Sequence, residues 1–214
     1  IKQFFGYYMF KPTNNHNTLP DEVIEDKRYL DGDTPGSFLD KYRNRYLLVK
    51  SDTGTGKTTA FKNYIKREEE PFISIVSRLS LGKEQHKVFK EEEIDSNWFK
   101  DCPETWAMNG ENMVIQIDSL IKLQSWDFTG YTIYLDEFNS LVEYFIDCPT
   151  LSDKRITCFY MLKEILINAE RVIMTDADIG DNAIRLLNLL NLKDIRYIQN
   201  KYKHNNNIEA IELT

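Results

Sequence analysis

Apolar residues fall in short runs along this chain, separated by polar segments with a helical period. The runs are YLLVK at 46–50, FISIV at 72–76, MVIQI at 113–117, YTIYL at 131–135 and RVIMT at 171–175. Each is apolar on nearly every position. That pattern fits strands buried on both faces in a parallel sheet, whereas half-solvated strands alternate. The segments between them predict helices over 57–68, 79–92, 139–146, 156–169 and 181–190. Sustained alternation of strand and helix predicts an α/β fold, a mainly parallel sheet with helices on both faces. IRYIQ at 195–199 and IEAIEL at 208–213 predict late strands. Residues 1–45 are aromatic and polar without a lasting period and contain the turn-rich stretch DGDTPG, so they read as an N-terminal extension to a domain over 46–214.

Composition narrows the class. The chain has 214 residues, a formal net charge of −7 and 29% charged residues. It is long enough to bury a core without metals or disulfides. No window approaches the roughly 18 uninterrupted apolar residues of a membrane span, and the start lacks a secretory pattern, so no membrane and an intracellular location are expected. Cys102, Cys148 and Cys158 show neither a CxxC spacing nor a histidine suited to zinc, and read as reduced structural thiols. The acidic balance argues against gripping nucleic acid by bulk charge, because that affinity scales with the number of phosphate-neutralising Lys and Arg. A first residue other than Met and an end soon after an expected strand predict an excised domain of something longer.

The strongest local signal is Ser51-Asp52-Thr53-Gly54-Thr55-Gly56-Lys57-Thr58-Thr59, placed after one expected strand and before an expected helix. That context belongs to a phosphate-binding loop. Successive backbone N–H groups line a concavity, and the next helix adds its positive end. Gly54 and Gly56 allow close approach of phosphate to backbone. Lys57 is expected to reach the β- and γ-phosphates and Thr58 to ligate Mg²⁺, with Thr53 to Thr59 forming the nucleotide cradle. The strict pattern carries glycine at 51, where this chain has serine, still small enough for the turn.

Such a loop needs a carboxylate at the end of a neighbouring strand, and YTIYL-Asp136-Glu137 supplies it. Asp136 is expected to hold Mg²⁺ through its water shell, and Glu137 to orient or deprotonate the attacking water. RVIMT-Asp176-Ala177-Asp178 closes another strand, where Thr175 and Asp176 either sense nucleotide state or form a turn or helix cap. The runs EEE at 68–70 and 91–93 are expected at helix ends on a solvated surface.

Read in order, SDTGTGKTT, IVSRLSL, VIQIDSL, YLDEFNSL and VIMTDADI resemble motifs I, Ia, Ib, II and III of superfamily 2 helicases. More narrowly, DEFNSL, QIDSL and a strand ending in DAD resemble the herpesvirus-type replication-origin-binding helicase family of large DNA viruses. The resemblance covers about 46–203 and implies the first RecA-like P-loop NTPase domain of such a motor, with ATP and Mg²⁺ as cofactors. Carried over, Lys57 and Glu137 are catalytic, and Thr58 and Asp136 hold the metal. Ser77 and Arg78, with Gln116, Asp118 and Ser119, line the track for a single strand, and Thr175 and Asp176 couple nucleotide state to movement. For Ser77 and Arg78 a helix cap and a solvated arginine is the competing reading, and for Gln116 to Ser119 a cap. The implied partners are single-stranded or duplex DNA, with RNA not excluded, and a second RecA-like domain. The implied location is a nuclear or viral replication compartment.

Asp176 stands where the general helicase pattern has a small residue. Too little chain follows Ile179 for a second α/β domain, so full hydrolysis is expected to need a partner domain. Arg28 and Tyr29 either stack on a base or serve the structure. Two other functions compete: a small P-loop kinase or nucleotide switch, which predicts an arginine-rich lid where 139–170 holds only Arg155, and a non-catalytic interaction module, which has no use for Lys57, Thr58, Asp136 and Glu137 together.

Overall fold

A computed structural model describes residues 22–102 and 111–203. Among the described residues, eight strands form one sheet: β1 (Glu22–Glu25), β2 (Tyr46–Lys50), β3 (Phe72–Val76), β4 (Asn97–Trp98), β5 (Met113–Gln116), β6 (Thr132–Asp136), β7 (Arg171–Asp176) and β8 (Ile195–Asn200). Their order is β1-β8-β2-β7-β6-β3-β5-β4, and every neighbouring pair is parallel. The helices are α1 (Ser37–Lys41), α2 (Lys57–Glu68), α3 (Leu79–Glu91), α4 (Phe138–Asp147), α5 (Arg155–Asn168) and α6 (Asp181–Leu189), and a 3₁₀ segment covers Ile117–Leu123.

Sequence pattern and topology agree on why the central strands are apolar throughout. Steps β1 to β2, β2 to β3 and β3 to β5 run one way along the sheet, and steps β5 to β6, β6 to β7 and β7 to β8 run back. Right-handed crossovers then place α1, α2 and α3 on one face and α4, α5 and α6 on the other. On the first face Phe61 of α2 stacks on Tyr134 of β6 at 4.0 Å and meets Phe72 of β3 and Phe89 of α3 edge-on. On the second, α4 buries Phe138, Leu141, Val142 and Phe145, one stripe at helical spacing. The reversal of winding lies between β2 and β7 and between β3 and β6, where an open α/β sheet forms its ligand crevice at the carboxyl ends of the strands. Register aligns those ends, with Lys50 opposite Asp176 and Asp136 opposite Thr175.

The boundary expected at Tyr46 moves. Residues 22–45 are part of the same sheet domain: β1 pairs with β8, and Leu30, Phe38 and Leu39 are core residues. A four-residue strand, EVIE, carries too little pattern to be seen alone, and only β8 supplies its partners. Both EEE runs do lie at helix ends, yet they are not merely solvated. Glu68 pairs with Arg43 at 3.0 Å, Glu70 accepts from Thr132 Oγ1 at 3.0 Å, and Glu92 accepts from Lys62 and Lys66 at 2.6 and 2.7 Å. Cys102, Cys148 and Cys158 are free thiols. The strand expected over 208–213 lies outside the described residues. Among the described residues, no helix is long and apolar enough to cross a membrane.

Candidate functional site

The loop after β2 closes on itself before any ligand is considered. Ser51 Oγ and Thr55 Oγ1 share a hydrogen bond of 2.6 Å, and Thr55 Oγ1 also donates to the Asp52 carbonyl at 2.7 Å. Gly54 and Gly56 take φ of 78° and 80°, left-handed values that a side chain would strain. Gly56 is the turn from which α2 starts, so the helix opens at Lys57 with its N-terminal N–H groups facing the loop. The Lys57 ammonium folds back over this turn, donating to the carbonyls of Ser51 at 2.8 Å and Asp52 at 2.9 Å. Burial pushes its pKa down, against the opposing pull of Asp136, Asp176, Asp52 and Glu137. Thr53, Gly54, Gly56, Lys57, Thr58 and Thr59 line a cavity of about 1040 Å³, together with Asp136, Glu137 and Asp176. Thr55 is fully buried and bonded inward, so its side chain serves the loop rather than the cavity.

Asp136 ends β6 and is 5% exposed. Its Oδ2 accepts from Thr58 Oγ1 at 3.1 Å and from Gln85 Nε2 at 2.8 Å. Its Oδ1 accepts from Thr175 Oγ1 at 3.0 Å and from the Glu137 backbone N–H at 3.1 Å. Glu137 itself is left-handed, with φ of 51°, at the strand-to-helix turn before α4. Its pKa is raised by burial first and by the Asp136 charge second, with Arg78 and Lys57 pulling the other way. The two donors expected at a metal, a hydroxyl and a carboxylate, thus touch each other beside the loop. Oxygen donors in that number suit Mg²⁺, which binds through one or two protein groups and keeps the rest for phosphate and water.

Thr175 and Asp176 separate in role. Thr175 is buried, bonded to Asp136 and to Tyr134 Oη at 3.2 Å. Asp176 instead collects backbone N–H groups, from Asn139 at 2.6 Å and Asp178 at 3.1 Å, so it caps the start of α4 and its own turn while still lining the cavity. Of the residues expected to line a strand track, Ser77, Gln116, Asp118 and Ser119 gather at the ends of β3 and β5. Gln116 Nε2 donates to the Ser77 carbonyl at 3.0 Å, and Ser119 Oγ to Asp118 Oδ1 at 3.2 Å. Ser77 and Gln116 are buried, the Ser77 hydroxyl without a hydrogen-bond partner and the Gln116 amide bonded also to Tyr144 Oη at 3.2 Å, while Asp118 and Ser119 stay half-exposed. Arg78, exposed at the N-cap of α3, lines the cavity, near enough to act on Glu137. Tyr29 lines it too, with the Arg28 guanidinium 5.4 Å from its ring centre.

Three residues escape a sequence reading. Gln85 meets Asp136, and its only signal is a polar residue on the buried Gly82–Gln85–Phe89 stripe of α3. Asn200, at the end of β8, donates to Ser51 Oγ at 3.0 Å and clasps the backbone of Lys27 through both its N–H and its carbonyl. Ser51, the departure from the glycine pattern, is therefore the anchor that ties the loop to β8 and to the segment after β1. Leu30 adds a bond from its N–H to the Thr55 carbonyl at 3.0 Å.

The chain is similar to known proteins in the same direction. It is 28% identical over 144 residues to the putative replication origin binding protein of Escherichia phage T5, a match covering 66% of this chain and 15% of that protein. The chain therefore spans a small part of the length of this curated relative. In structure it is similar to the Pyrococcus furiosus Hef helicase domain, with a TM-score of 0.51 at 16% identity, covering 76% of this chain and 36% of the other. It is likewise similar to Saccharomyces cerevisiae Dbp5 L327V bound to RNA and ADP BeF3, with a TM-score of 0.53 at 18% identity, covering 77% and 46%. These likenesses make the fold that of a RecA-like helicase domain. The model of the family described as origin of replication binding protein matches residues 23–207, so the chain belongs to that family.

Proposed function

We propose that this chain is the ATP-binding half of a replicative DNA motor, a RecA-like domain that hydrolyses ATP when a second such domain closes over the cavity. The observation that carries the reading is the 3.1 Å contact between Thr58 and Asp136 beside a loop whose lysine is held ready by two carbonyls. Family membership and the ADP BeF3 bound in Dbp5 support it. In this reading the loop N–H groups and the start of α2 bind the phosphates, and Lys57 transfers its N–H donors from the Ser51 and Asp52 carbonyls to phosphate oxygens. Thr58 and Asp136 hold Mg²⁺, which supplies neutralisation of charge on the phosphate oxygens. Glu137 accepts a proton from the attacking water, and its raised pKa brings its basicity closer to the working pH.

In this reading Asp118 and Ser119 line the track for the polymer, Arg78 serves the cavity that it lines, and Thr175 relays to Asp136. Single-stranded or duplex DNA is the proposed polymer, and a second RecA-like domain would supply an arginine finger. Such a finger is worth about 10³–10⁵ in rate, so hydrolysis by this chain alone should be very slow. Fluorescent ATP (mant-ATP) titrated into wild type and Lys57→Ala tests the reading. Saturable binding in wild type that weakens at least about tenfold in Lys57→Ala is expected from loss of charge-assisted bonds. Equal affinity in both proteins refutes it.

A further inference from the structure

Gln85 joins the Asp136 carboxylate to helix α3. Its side chain is 3% exposed, with Nε2 donating to Asp136 Oδ2 at 2.8 Å and Oε1 accepting from Ser74 Oγ at 2.6 Å. The chemistry of the partners sets the amide's orientation. An ionised carboxylate only accepts, so the NH₂ faces Asp136, and the carbonyl is left to the one hydroxyl that can donate to it. Turning the amide over would bring oxygen against oxygen.

Asp136 is fully supplied with donors: Thr58, Gln85, Thr175 and the Glu137 N–H. A carboxylate offers about four lone-pair sites, so a cation on Asp136 requires one donor to withdraw. Thr58 can do so in place, because its hydroxyl rotates and its oxygen would then help to hold the cation. Gln85 is pinned by Ser74 and stays. The helix that carries it is also seated firmly: a Cβ on Gly82 would meet Trp98 at 2.6 Å and Val76 at 2.8 Å, and Phe89 packs on Phe72 at 5.2 Å. About two turns before Gln85 the same helix opens at Arg78, which lines the cavity.

We infer that Gln85 is a positioning residue that fixes the orientation of Asp136 toward a divalent cation and links that carboxylate to helix α3. The inference rests on the nucleotide-binding reading above. Outer partners of a metal-binding carboxylate are worth about 10–100-fold in metal affinity. The test is mant-ATP binding in Mg²⁺ and in EDTA by wild type, Gln85→Met, Ser74→Ala and Lys57→Ala, with thermal melting of each. Gln85→Met keeps length and volume while removing both hydrogen bonds. It should leave affinity in EDTA within about twofold and reduce the Mg²⁺-dependent gain by about 10–100-fold. Ser74→Ala should reduce the gain in the same direction by less, and it carries the test if Gln85→Met does not melt as a folded protein. A wild-type gain in the folded variants overturns the inference, as does an equal loss in EDTA and Mg²⁺, since general damage lowers both. Indifference of the wild type to Lys57→Ala overturns the underlying nucleotide reading instead.

Discussion

The carboxyl ends of β6 and β7 look alike in sequence and work differently. Each strand closes with an aspartate, and register places Asp136 beside Thr175, one residue from Asp176. Asp136 accepts mostly from side chains of α2, α3 and β7, and of these the Thr58 hydroxyl can rotate to another partner while Gln85 is held by Ser74. Asp176 accepts from backbone N–H groups of α4 and of its own turn, which cannot leave without unwinding the helix start. Asn139 completes this second cluster by accepting from the Gly180 N–H at 3.1 Å, so the loops after β6 and β7 are laced together. A carboxylate built to change partners sits beside one built to stay put.

Substitutions can break this contrast, and the largest effect belongs to Asp136. Asp136→Asn should abolish the Mg²⁺-dependent part of mant-ATP binding, a larger loss than the about 10–100-fold expected at its outer partner Gln85. Asp176→Ala should show the reverse profile. Loss of a helix-start acceptor costs about 0.5–2 kcal/mol in urea unfolding, with Mg²⁺ dependence kept. If Asp176→Ala lost the metal response and kept its stability, the division of labour proposed for the two aspartates would be wrong.

Glu137→Gln sharpens the same picture through pH. The folded protein holds this carboxyl at a raised pKa, so between the ordinary glutamate value and the raised one the native state binds more protons than the unfolded state. Stability contributed by this group therefore falls as pH rises through that window. Glu137→Gln should be slightly more stable than wild type near pH 7, and the difference should vanish once pH drops below the ordinary glutamate range; unfolding midpoints across pH measure it. The smallest effect belongs to Asp178, which pairs with Lys50 at 2.8 Å and is 78% exposed in its side chain. Such a surface pair is worth about 0–1 kcal/mol, so Asp178→Asn should shift urea unfolding by a few tenths of that scale, and less in high salt.

Much of this was legible along the chain. Helix α2 begins and ends where its pattern says, because a left-handed glycine opens it and polarity closes it, both local matters. The five central strands announce themselves because both faces are covered, so most positions are apolar and buried polar exceptions such as Ser74 and Thr132 are hydrogen-bonded. Strand β1, helix α1 and the two-residue β4 did not announce themselves, since each is short and owes its existence to a neighbour far along the chain. The same reason hid Gln85 and Asn200. An amide reads as polar filler until the residue opposite it is known, and the residues opposite lie 51 and 149 positions away. Burial is likewise invisible along the chain: Ser77 and Gln116 suit a polymer track on chemistry alone, and only the structure shows both buried at the strand ends.

By itself, then, the order of residues determined the α/β architecture, the phosphate-type loop and the acidic strand end, because those depend on hydrophobic period, glycine dihedrals and neighbours within a few positions. Only the tertiary structure decided which carboxylate is free to exchange partners, that Ser51 anchors the loop where a glycine is usual, and that residues 22–25 add a strand to the sheet. Each of these is a contact between distant segments. Burial makes an unmet polar group expensive there, so the partner that satisfies it, rather than the residue's own sequence context, assigns the role.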